Sequence, residues 1–158
     1  MNETIMHDLV TKHVPRLDDL KRTTRDRFCS YDAYNDHVIV EYKARRKFYE
    51  GSTQLELPKY EKNMSDKRQY LYVVYDGVDK IQIWNVTKLN QMGYNFKWTQ
   101  RLCPETTDFD RKEMVRKDVG ELAWKDAHHT LQLKARENPV EQPVDTFQTH
   151  PHLSLIHI

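Results

Sequence analysis

The seven residues 37–43, HVIVEYK, constrain the fold of this chain more than any other stretch. β-Branched side chains are stiff at χ1 and favour extended backbone, so the run is read as a strand. Successive strand side chains point to opposite faces. Ile39, Glu41 and Lys43 therefore share one face, while Val38, Val40 and Tyr42 line the other, which can bury against a helix. Residues 28–33 form a second extended run, and Tyr34-Asn35-Asp36 between the two suits a tight turn, giving a hairpin. A turn at Asn35 sets Asp32 opposite Ile39 or, with a wider loop, opposite Glu41. In either register Asp32 and Glu41 lie about 5–8 Å apart on one face.

The residue types then suggest a chemistry. Two carboxylates at that separation can hold a Mg²⁺ or Mn²⁺ ion, a hard cation that takes oxygen ligands and keeps several waters. Such an ion would polarise a phosphodiester, and Lys43 would orient the attacking water and stabilise the charge developing on phosphorus. Arg45, Arg46 and Lys47 follow directly, in a run with four cations in five positions (residues 43–47), and are expected to lie along a nucleic-acid backbone. An acid two positions before a lysine is a cheap match. With 24 acids in 158 residues, about two are expected by chance, and three occur: Asp19/Lys21, Glu41/Lys43 and Asp110/Lys112. Only Glu41/Lys43 ends a strong strand. Asp36 is the rival for the aspartate, but five residues from Glu41 it would face the other way at roughly 16 Å.

Elsewhere the patterns are those of an α/β domain. Ile5, Met6, Leu9, Val10 and Val14 recur at helical spacing until Pro15 stops them. Thr53 and Glu56 have capping-box spacing ahead of a short helix, LPKYEKNM, with Pro58 in its first turn. QYLYVVYD and KIQIWNV are strand-length runs joined across residues 76–79, a second hairpin near the centre of the sheet. Residues 89–134 carry a weaker pattern, extended then looped, with a short helix expected near 109–115. Trp84, Trp98 and Trp124 are expected in the core, as are Tyr42 and Phe48 rather than as base-stacking platforms.

The expected organisation is a single domain over residues 1–134 with a mobile tail over 135–158, where three of the six prolines fall. The last six residues, 153–158, LSLIHI, resemble a translated sequencing adaptor, so His150, His152 and His157 suggest no metal tail. The longest apolar run, residues 70–75, is far below the ~20 residues of a membrane-spanning helix. The N-terminus lacks a signal-peptide pattern, so a soluble protein of the bacterial host cytoplasm is expected. Cys29 and Cys103 match no zinc or redox spacing and are expected to be free thiols. A net charge of +1 does not by itself mark a nucleic-acid binder. No Ser/His/Asp arrangement or phosphate-cradling glycine loop stands out.

The order helix, hairpin carrying Asp32, Glu41 and Lys43, helix, then two strands resembles the PD-(D/E)xK nuclease superfamily. Residues 31–50, YDAYNDHVIVEYKARRKFYE, and the later PETTDF are similar to small phage members of it. The resemblance implies a restriction-endonuclease-like core: a mixed sheet of about four to five strands flanked by helices. It implies a magnesium-dependent endonuclease in phage or bacterial DNA metabolism. Asp32 and Glu41 would be metal ligands, with Lys43 as the catalytic lysine. DNA is favoured over RNA, and a two-fold homodimer would suit cutting both strands. No proline precedes Asp32. The acid often found on the first helix in this superfamily could be Glu3 or Asp8. Gln54 and Lys59 lie where such folds place a phosphate-side Gln or Lys on the next helix, and Lys59 is grouped with Arg45, Arg46 and Lys47. The alternatives are a non-catalytic nucleic-acid-binding protein of the same fold and a phage structural or host-interaction protein.

Overall fold

The computed structural model describes residues 1–23, 29–104 and 114–139. The first helix, α1 (Glu3–His13), starts where the Asn2 side chain accepts the Ile5 backbone N–H at 2.9 Å and ends at Val14, before a short 3₁₀ turn at Pro15–Leu17. Met6, Leu9 and Val10 are buried, whereas Ile5 at the edge of the stripe is 38% exposed.

Two short strands and a long one follow: β1 (Lys21–Arg22), β2 (Ala33–Tyr34) and β3 (Val38–Ala44). The β2–β3 turn closes on Asn35, whose side-chain oxygen accepts the N–H groups of His37 and Val38 at 2.8 and 2.9 Å. Tyr34 pairs with Ile39 and Ala33 with Val40, so of the two registers open in the sequence the one setting Asp32 opposite Ile39 does not occur. The strand expected over 28–33 is shorter, with only Ala33 in β2, and Phe28 lies outside the described residues.

From β3 the chain leaves the sheet through β4 (Ser52–Glu56) and α2 (Leu57–Met64), then returns as β5 (Gln69–Tyr75), parallel to β3. A parallel pair requires such a crossover. The helix is where LPKYEKNM predicts it, with Pro58 in the first turn, but the capping box does not form. Thr53 and Glu56 are strand residues of β4, and Glu56 caps without a side-chain hydrogen bond. β5 turns back into β6 (Lys80–Asn85), as expected, because Asp76 Oδ1 accepts the N–H groups of Val78, Asp79 and Lys80. Then come α3 (Val86–Gln91), β7 (Thr99–Pro104), β8 (Met114–Ala123) and β9 (His129–Gln132).

Among the described residues the main sheet has six strands in the order β1-β2-β3-β5-β6-β9, and a second sheet has three, β4-β8-β7. The architecture is α/β with a mixed sheet, but four to five strands was an underestimate. β8 carries three consecutive charged residues, Arg116 to Asp118, and its first half alternates exposed and part-buried positions, so it lacks the apolar density of β5. Met114 and Val115, expected at the end of a helix, open β8, while residues 109–113 lie outside the described residues.

Two apolar layers sandwich the main sheet. Val40, Tyr42, Leu71, Val73, Ile81 and Ile83 pack on one side with Met6, Leu9 and Val10 of α1. On the other side Ile39, Tyr70, Tyr72, Val74 and Trp84 pack with Leu55 and Leu122 of the second sheet and Val86 and Leu89 of α3. Trp84 is fully buried, but Trp98 is 37% exposed and Trp124 only partly buried, so one of the three tryptophans is true core. The start of the expected tail is docked. Glu137 pairs with His13 at 2.9 Å, and buried Asn138 accepts the Tyr75 O–H at 2.7 Å and donates to the Val78 carbonyl. Residues 140–158, including 153–158, lie outside the described residues. None of the helices described is long and apolar enough to cross a membrane.

Candidate metal and phosphate site

The candidate site forms where β2 ends and leaves the edge of β3 uncovered. Asp32 stands one residue before β2, and its N–H donates to the Val40 carbonyl at 2.7 Å although Ala33 already pairs with Val40. Two residues against one is a β-bulge, a device that re-aims a side chain. The Asp32 carboxylate reaches along β3 and accepts the Tyr42 backbone N–H at 2.8 Å. It occupies the edge of the strand, rather than standing on its face opposite Glu41 as the simple hairpin predicts. Behind it, Asn63 of α2 donates to the Ser30 carbonyl at 3.2 Å and accepts the Ser30 hydroxyl, tying the approach to Asp32 onto the helix.

Glu41 lies on the face shared with Ile39, as strand alternation requires, and is only 5% exposed. The Tyr70 O–H, from the neighbouring β5, donates to Glu41 Oε1 at 2.5 Å. Lys59 of α2 places its ammonium 3.3 Å from Glu41 Oε2. Burial is the main cause holding the Glu41 carboxyl above its ordinary range, with Asp32 adding repulsion and Lys59 and Tyr70 opposing. Lys59 goes the other way. Burial pulls it down, but Glu41 and then Glu56 outweigh that and raise it.

Asp32 is also raised, chiefly by burial, against the lowering effect of the Tyr42 N–H and of Lys59, Arg22 and Lys43. Lys43 is lowered by burial first, then by its like-charged neighbours Arg45 and Lys59. Asp32, Glu41 and Lys43 are thus each charged against a burial penalty, which Lys59 partly offsets for the two carboxylates.

Glu3 acts on this group from the exposed start of α1. It occupies the first turn of α1, and its carboxyl is raised by burial and then by Asp32, while Arg22, Lys59 and Lys43 lower it. Arg22 lies 3.6 Å away. Both first-helix acids are exposed, the Glu3 side chain at 51%; Glu3 interacts with Asp32, whereas Asp8 acts on His7 and Tyr42. Tyr70 and Asn63 are the residues sequence reasoning missed. A tyrosine inside an apolar run and an asparagine inside a helix carry no local signal. Only the parallel pairing of β3 with β5 brings Tyr70 beside Glu41.

The basic run divides. Arg45 is turned inward. Its guanidinium donates to Thr53 Oγ1 at 3.1 Å and to the Gln54 carbonyl at 2.7 Å, fastening β4 to the end of β3 instead of extending outward. Gln54 lies on β4, not on a helix, and its carbonyl also accepts the Tyr72 O–H. Arg46 and Lys47 are exposed. Lys59, one residue of a surface helix by sequence, belongs to the carboxylate cluster. Asp36 is exposed at the opposite end of β3, beside a cavity of about 400 Å³ lined by residues including His37, Lys67 and Arg68. His128 Nδ1 accepts the Asn85 N–H and stands apart from the site, and both cysteines are free thiols.

Among the described residues no three His, Cys, Asp or Glu side chains gather into a metal-binding group. Asp32 and Glu41 still fit Mg²⁺ by their chemistry. Both are hard oxygen donors and both are raised by burial, and Mg²⁺ characteristically takes one or two carboxylates and completes its shell with water and phosphate. No family model, curated protein or solved structure matches this chain.

Proposed function

We propose that the protein is a magnesium-dependent nuclease of the PD-(D/E)xK kind, hydrolysing phosphodiester bonds in nucleic acid, with DNA favoured. The observation that carries this reading is the buried Glu41 carboxylate, bonded by the Tyr70 hydroxyl and 3.3 Å from the Lys59 ammonium, with Asp32 held on the edge of the same strand and Lys43 two residues on. The elements α1, the β2–β3 hairpin and α2, followed by β5 and β6, run in the order that the resemblance implies for a restriction-endonuclease-like core.

Asp32 and Glu41 would hold the ion, which would supply Lewis-acid polarisation of a phosphoryl oxygen and a more acidic bound water. The Tyr70 O–H fixes one oxygen of Glu41 and leaves the other turned toward Lys59. The backbone bond to Tyr42 likewise fixes one oxygen of Asp32. Lys59 sets its ammonium beside Glu41, where it would also attract a bound phosphate. Lys43 is part-buried, and among the described residues no hydrogen bond or ion pair engages its ammonium. It is thus available to orient water and to stabilise negative charge on the reacting phosphate.

The direct test incubates the protein with branched, duplex and single-stranded DNA in Mg²⁺ or Mn²⁺. Cleavage is expected and should be lost in Glu41→Ala and Lys43→Ala. Cleavage that survives both substitutions refutes the assignment. Salt-sensitive binding without metal-dependent turnover would instead favour the non-catalytic nucleic-acid-binding protein.

A further inference from the structure

Past Lys43 the chain forms a loop whose two aromatic residues, Phe48 and Tyr49, are 47% and 50% exposed. Adjacent exposed aromatic side chains, unlike scattered single ones, can mark an interaction surface. This loop is held at four points. The Arg45 N–H donates to the Tyr75 carbonyl at 3.0 Å. The backbone of Lys47 lies against Gly77, so closely that a Cβ there would come within 2.8–3.0 Å of it. The Trp124 indole N–H donates to the Tyr49 carbonyl at 2.7 Å, and the Trp124 backbone N–H to the Gly51 carbonyl at 3.1 Å.

Phe48 continues an aromatic series that begins in the core. Fully buried Trp84 packs on Trp124 at 5.6 Å, and Phe48 stacks on Trp124 at 5.8 Å with the planes 19° apart. Phe48 thus sits nearly parallel on a supported ring. Lys47 holds its ammonium 5.4 Å from the centre of the Tyr49 ring, and Arg46 and Lys47 are both exposed. Two exposed cations followed by two exposed aromatic rings, with Lys47 over the Tyr49 ring, match a polyanion that carries flat bases better than an apolar protein surface.

We infer that Phe48 and Tyr49, with Arg46 and Lys47, form a stacking platform for unpaired nucleotides, so that the substrate presents a single-stranded or splayed segment beside the cleft. The inference rests on the nucleic-acid reading of the adjacent site and assigns it a substrate class. A ring can stack only on a base whose face is free, which bases inside a duplex do not offer. Phe48 follows Lys43 by five residues, so the platform lies within about 17 Å of it along the chain.

The test measures binding by fluorescence anisotropy in EDTA, using the full chain, a labelled 20-nucleotide single strand and the same strand annealed to its complement as a blunt, loop-free duplex. The single strand is expected to bind about tenfold tighter or more. Phe48→Leu keeps an apolar cover over Trp124 but has no π face, and should lower single-strand affinity about tenfold while leaving duplex affinity unchanged. Phe48→Trp should restore it, and Lys47→Gln should reduce the salt slope by about one. Equal affinity for both DNAs, or a Phe48→Leu protein that binds like wild type, overturns the platform. So does absence of binding with self-association in sedimentation. Cleavage is scored separately in Mg²⁺. Binding without cutting removes the nuclease and leaves the platform, whereas cutting indifferent to strandedness and to Phe48→Leu does the reverse.

Discussion

Asp32 has two separable duties, and two substitutions at this position should pull them apart. Its carboxylate accepts the Tyr42 backbone N–H at 2.8 Å, on a residue only 3% exposed, where β2 no longer supplies a partner. Asp32→Ala leaves that donor orphaned in a site too tight for free hydration, a loss of about 1–3 kcal/mol. For a chain of this size each kcal/mol lowers Tm by about 2–4 °C, so a fall of roughly 2–12 °C is expected. Asp32→Asn keeps an oxygen in place. It weakens a charge-assisted bond to a neutral one, about 1 kcal/mol, but removes a buried charge and its repulsion with Glu41 and Glu3. The net change should stay within about 0.5 kcal/mol, since these two effects are of similar size and opposite sign. Both variants should lose metal-dependent cleavage. Both should also lose the stabilisation that Mg²⁺ gives wild type, about 1.4 kcal/mol at ten times the Kd. Thermal denaturation by circular dichroism, with and without Mg²⁺, reads all of this. If Asp32→Asn is destabilised as much as Asp32→Ala, the charge itself holds the fold and the division of roles is wrong.

Glu41→Gln should flatten the pH dependence of metal-free stability. Because the folded pKa is raised, the folded state binds the proton more tightly, so wild-type stability falls as pH rises from the ordinary carboxylate range through the raised value. Denaturant melts between pH 4 and 8 should show that fall in wild type and a smaller one in the variant. A steeper fall in the variant contradicts the burial argument. Lys43→Ala should reduce turnover by about 10²–10³-fold, with nucleic-acid binding in EDTA nearly unchanged, since its charge acts on the reacting phosphate. Gly77→Ala should destabilise by about 1–3 kcal/mol or more, because φ is +87° and the added methyl meets the Lys47 backbone. Chemical denaturation of that variant checks this, and an unchanged midpoint would refute the close approach.

Local alternation was enough to derive β3 and the face shared by Ile39, Glu41 and Lys43, because a period of two is a property of the strand itself. The same holds for α1 up to Pro15, for α2 despite its mistaken cap, and for the β5–β6 hairpin closed by Asp76. These elements carry their signal within a dozen consecutive residues. β7, β8 and β9 do not. β8 pairs with the distant β4 and β9 with the distant β6, and the polar, half-exposed residues of β8 leave no apolar pattern to read.

The site divides along the same line. Glu41 and Lys43 could be named as candidates from two positions on one strand. Tertiary structure alone decided the rest: the bulge that turns Asp32 onto the strand edge, Lys59 as the partner of Glu41, and the Tyr70 hydroxyl on its other oxygen. It also turned Arg45 inward and left Phe48 in solvent. Each of these depends on where two distant segments come together, and burial then sets the charge balance of the groups that meet. A sequence records which groups are available; the crossover from β3 to β5 determines which of them share a dielectric environment.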